Sequence, residues 1–205
     1  MSLKNYSSKK WTFRVTKFRM MAAYGLIAGF VSSLAISGLL LLVEKAISLP
    51  VGTFYLMISS TFIDPQEYYS LNKILFGVIL HITAGSIIGF IMCIPFTVFK
   101  DKSLRSMQRY AVPYGLGFGF ALWSFLFIPV TLWIILPILD ASQQRTLIQE
   151  VPAQADVMFT TDRVAMLVDR IMIGAVAFNM LYGLLTAIII KTLSEESSKN
   201  KPNIV

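Results

Sequence analysis

One histidine and one cysteine are all that the sequence offers of the two side chains most used for metal binding and for nucleophilic or acid–base chemistry. A single histidine cannot build the paired ligand sites of common zinc enzymes, and a single cysteine excludes an intramolecular disulfide and any CxxC pair. No phosphate-cradling GxxxxGK loop and no GxSxG nucleophile elbow occurs. The chain therefore reads as non-enzymatic, with no metal and no cofactor. Charge is scarce too: 14% of residues are Asp, Glu, Lys or Arg, and only 11 are acidic. Soluble domains carry about a quarter.

Apolar residues fill the space that charge leaves. They make up 56% of the 205 residues, and the mean hydropathy is +0.68. Four stretches are long enough for the ~20-residue helix that crosses a hydrocarbon core: 22–43, 74–99, 111–139 and 164–190. They are continuously apolar and do not alternate with period two, which argues against a β-barrel. The expected fold is all-α, a polytopic membrane protein of four transmembrane helices. Residues 1–21 form a basic cytoplasmic or interfacial segment, 22–190 the membrane domain and 191–205 a polar, disordered cytoplasmic tail. The first apolar run is too long for a signal h-region, so it reads as a retained helix.

Most of the 18 lysines and arginines precede span one, join spans two and three, or follow span four. The positive-inside rule assigns those segments, and both termini, to the cytoplasm of a multi-pass protein in the cell membrane. That topology also accounts for the net charge of +7 without invoking nucleic acid. Anionic lipid headgroups are the better partner for Lys10, Arg14 and Lys17, which line one face beside Trp11, Val15 and Phe18.

Within the spans, small residues recur every fourth position. Span one carries Gly25, Gly29, Ser33 and Ser37; span two carries Gly77, His81, Gly85, Gly89 and Cys93; span four carries Ala175, Asn179, Gly183 and Ala187. Span three has Gly115 and Gly119, followed at the same phase by Trp123 and Phe127. Lipid is as apolar as leucine, so helices in a bilayer associate through such close-approach stripes, with polar side chains as glue. The stripes predict a tight bundle, a homo-oligomer, or contacts with other membrane subunits.

"YGLIAGF" at Tyr24–Phe30 recurs as "YGLGFGF" at Tyr114–Phe120, and the same offset carries span two onto span four. The chain reads as two tandem helical hairpins related by an axis along the membrane normal.

His81 is threaded into the span-two stripe, about 12 Å along the helix from Lys73, in the outer half of the membrane. Asp169 and Arg170 sit at comparable depth on span four, with Asn179 deeper, and Glu44 and Asp140 at the outer ends of spans one and three. Ionisable groups inside spans mark a functional site or a structural pair. His81 can make an interhelical hydrogen bond or act as a proton relay; for a metal it lacks any recognised ligand spacing, and Cys93 is about 18 Å further along. A polar path around His81, Asp169, Arg170 and Asn179 is the alternative to assembly, as a small proton-coupled transporter. A third reading is a lipid or pH sensor using the basic N-terminus and His81.

The apolar segment 49–63, "LPVGTFYLMISSTFI", is too short to span and is expected to lie in the interface or re-enter and pack on the bundle. "DPQE" at Asp64–Glu67 reads as a helix start. Pro113, Pro129 and Pro137 punctuate span three, where irregular backbone is expected.

"YGLIAGF" at the opening of span one, a single histidine early in span two, and "GLGFGFALWSFLFIP" in span three together resemble the YagU-type inner-membrane proteins. That resemblance implies a four-helix inner-membrane bundle. It implies no molecular activity for His81 or any other position.

Overall fold

The computed structural model describes residues 3–60, 62, 71–98, 109–137 and 155–199, which are helical apart from short turns, with no strand among them. Helix α1 runs Leu3–Ala46, α2 Thr53–Ser60, α3 Leu71–Val98 and α4 Ala111–Leu122. Helix α4 continues through a π-helical turn, Trp123–Phe127, a short α5, Ile128–Val130, and a second π-turn, Thr131–Ile135. Helix α6 is Ala155–Lys199. Four segments are long and apolar enough to cross a membrane: Phe18–Ala46, Leu71–Pro95, Ala111–Ile134 and Ile171–Ser197.

One expectation is corrected here. The tail expected to be disordered from residue 191 continues α6 as helix to Lys199, carrying an i,i+4 contact between Lys191 and Glu195 at 4.0 Å. Helix α1 begins well before the apolar run, so the basic segment and the first span are one helix. The side chains of Lys10, Arg14 and Lys17 lie outside the described residues, as does the Asp64–Glu67 segment.

Helix α1 packs along α3, and α4 along α6; α6 closes the bundle against α1. Glycines set the distances. A methyl group at Gly25 would lie 2.6 Å from the carbonyl oxygen of Gly89, and one at Gly29 would fall on the carbonyl oxygen of Gly85, so α1 and α3 cross antiparallel in backbone contact. In the second pair Gly115 meets the Gly183 carbonyl at 2.6 Å, and Gly119 rides on the Asn179 carbonyl. Around these crossings sits a small core of Met21, Ala28, Cys93 and Ile190. Ser197 Oγ lies 3.4 Å from Met20 Sδ, which brings the end of α6 to the start of the apolar part of α1.

The irregular backbone falls where the prolines demand it. Pro129 and Pro137 have no N–H to give and their rings clash with the carbonyl four residues earlier, so each is preceded by a widened π-turn. Pro113, in the first turn of α4, needs no such adjustment.

Candidate functional site

The turn after α1 is built around Glu44. Its backbone carbonyl accepts from Leu49 N at 2.8 Å while Ser48 N donates to Lys45 O at 3.2 Å, closing α1 in a Schellman pattern. The residue in the left-handed position is Ser48, φ 58°, where glycine would be usual. The chain then reverses through Pro50 and Gly52, φ 92°. That reversal brings the first amides of α2 onto the Glu44 side chain: Gly52 N donates to Oε2 at 2.6 Å and Phe54 N to Oε1 at 2.7 Å. Glu44 is completely buried. A carboxylate at a helix N-terminus satisfies orphan amides and meets the positive end of the helix dipole. The segment expected to re-enter or pack on the bundle thus lies against α3 as an eight-residue helix tied to the end of α1.

Two features let α2 approach α3 so closely. A methyl at Gly77 would fall on the carbonyl oxygen of Tyr55, so only glycine admits the α2 backbone there. One turn further along α3, the His81 ring meets the Tyr55 ring edge-on, centroids 6.0 Å apart. Tyr55 is fully buried. Ser37 of α1 and Glu44 both lie close enough to act on its phenol.

The seam continues inward along α1 and α3. Ser33 Oγ occupies the notch over Gly85, where a methyl group would otherwise sit, and Tyr182 of α6 donates to the Gly85 carbonyl at 2.5 Å. Its polar atoms are unusual in their bonding. Ser33 Oγ and His81 Nε2 are buried and make no hydrogen bond with the protein, while the buried Tyr55 and Ser37 hydroxyls lie against each other. Elsewhere Ser86, Thr186 and Asn179 each donate to the carbonyl one turn back, at 2.8 Å, whereas Ser32 and Thr131 are buried and unbonded as well. Buried polar atoms left unpaired cost about 1–3 kcal/mol each.

Sequence reasoning placed His81 in this region and reached the stripe residues Ser33 and Ser37, but it missed Tyr55, the anchoring role of Glu44 and the bond from Tyr182. Glu44 lies seven residues past Ser37 and so on the same helical face, which is the signal that could have joined them. Asn179 is turned away from the seam's chemistry: its amide donates within its own helix and its carbonyl packs on Gly119. Asp169 and Arg170 fall within α6, their side chains outside the described residues, and Asp140 lies outside them altogether. Thr131, in the second π-turn, is another buried hydroxyl with no hydrogen bond.

The glycines expected to serve packing are Gly25, Gly29, Gly77, Gly85, Gly89, Gly115, Gly119 and Gly183, and each meets another element of the same chain. Gly38, Gly117 and Gly174 instead face open space.

Fold and site together define an all-helical protein with four helices of membrane-crossing length and a buried, under-bonded polar seam between α1, α2 and α3. No family model, curated protein or solved structure matches the chain.

Proposed function

We propose that the chain is a non-enzymatic, multi-pass protein of the cell membrane whose working part is the seam around His81, a path for protons or a small polar solute. One observation carries this reading: hydroxyls from two helices, Ser33 and Ser37 of α1 and Tyr55 of α2, line one seam with the His81 imidazole of α3, and within it the buried Ser33 Oγ and His81 Nε2 have no hydrogen bond to protein. The imidazole can take up and release a proton, and the hydroxyls can relay one through transient water. Four helices leave little room for a wide pore, which favours a proton over a larger cargo. In this reading the chain is two tandem helical hairpins with both termini cytoplasmic, and Lys10, Arg14 and Lys17 meet anionic headgroups.

The test is proton flux. Purified protein in liposomes carrying a pH-sensitive dye, under an imposed pH gradient, is expected to equilibrate faster than empty liposomes; His81→Gln should return the rate to the empty-liposome level, and Cys93→Ala should not. Equal rates for wild type and empty liposomes would sink the path.

A second reading, assembly with other copies or other membrane subunits, is favoured by a different observation. The stripe glycines are occupied within the chain, but Gly38, Gly117 and Gly174 have nothing against them. Outward glycines suit close approach by another membrane helix.

A further inference from the structure

We propose that α2 is a lid over the polar seam, held shut by the Glu44 carboxylate. The proposal rests on the reading of the seam as a path and supplies its gate. Three contacts hold α2 in place: the pair of amide bonds to Glu44, the seat of the Tyr55 backbone on Gly77, and the edge of the Tyr55 ring against His81. With these made, Tyr55 and Ser37 are sealed, at 0% and 6% exposure. Helix α2 is only eight residues long and packs chiefly on α3. Its leading link reverses through Gly52 at φ 92°, whose amide is one of the two held by Glu44. Both bonds converge on one side chain. Loss of the Glu44 anchor therefore frees the start of α2 in a single event and uncovers Ser37 and His81 together, while the α1–α3 crossing at Gly25, Gly29, Gly85 and Gly89 lies deeper and stays closed.

Accessibility reads the lid directly. In a Cys93→Ala background, Ser37→Cys in proteoliposomes is labelled with a charged, water-soluble thiol reagent. Labelling is expected to be slow in this parent and faster by about tenfold or more when Glu44→Ala is added, because hydrogen bonds to a charged group contribute that factor or more. Gly77→Ala, which pushes α2 off α3 and leaves Glu44 intact, should accelerate labelling in the same way. Ala28→Cys, fully buried in the core beside Cys93, serves as the control and should stay slow in both variants. Unchanged labelling of Ser37→Cys in both variants would overturn the lid, and so would a parallel rise at Ala28→Cys, which means a loosened bundle. The readout is independent of proton flux, so an opening lid in a protein without flux sinks the path alone.

Discussion

At Gly85 a single hydrogen atom decides the local structure. The Ser33 hydroxyl fills the place of the missing methyl, with the Tyr182 ring 3.5 Å from that point. Gly85→Ala is therefore expected to cost about 1–3 kcal/mol, the usual range for overpacking a tight contact. Ser33→Ala should lose little by itself, since its hydroxyl has no hydrogen bond to lose, and combined with Gly85→Ala it should recover part of the deficit, because Ser33 Cβ would still lie 2.9 Å from the new methyl. A double-mutant cycle by equilibrium unfolding in mixed micelles measures this; strictly additive effects would show that the two side chains do not share the notch. The period of four made Ser33 and Gly85 visible as stripe residues on their own helices. It could not pair them, because a stripe names a face and not the neighbour that covers it. Glu44 was less legible still. Its role depends on a chain reversal with two residues at positive φ, one of them a serine, and no local pattern announces that turn.

Among the elements, the two glycine-lined pairs follow one rule with different registers. Gly25 meets Gly89, whereas its counterpart in the second copy of the motif, Gly115, meets Gly183, which corresponds to Cys93. The second pair is displaced by about one turn. The displacement follows the glycines: where the first copy has Gly89 and Cys93, the second has Asn179 and Gly183, and the close crossing goes to whichever position lacks a Cβ. Gly89→Ala should accordingly be costly, since its methyl would fall on the Gly25 carbonyl and lie 2.7 Å from Gly29 Cα, with backbone on every side. Gly117→Ala meets nothing and should be neutral or stabilise by about 0.5–1 kcal/mol, the helical advantage of alanine over glycine. Thermal unfolding of both variants in the same detergent checks the contrast; a similar loss in each would mean that Gly117 is covered by a second copy. Spans, stripes and the irregular third span were all readable from apolar length, period and proline. The register was not, because it is set by which pairs of small residues coincide in space.

For the whole molecule, the proximity of Ser197 to Met20 has a topological consequence. It brings the far end of α6 to the level at which the apolar part of α1 begins, and the antiparallel α1–α3 crossing continues the alternation. In a membrane, that arrangement puts the basic start of α1 and the polar end of α6 on one side. Under the topology proposed above, the α1–α2 turn, with Glu44 and the proposed lid, falls at the opposite, outer face. Fusions at each terminus read this out. Green fluorescent protein, which matures in the cytoplasm, should fluoresce at both ends, and alkaline phosphatase should be inactive at both. A phosphatase inserted at the α1–α2 turn should be active. One fluorescent and one dark terminus would require an odd number of crossings and break the pairing of α1 with α6. Two dark termini with active phosphatase would keep the pairing but invert the bundle, which would turn the lid over His81 toward the cytoplasm.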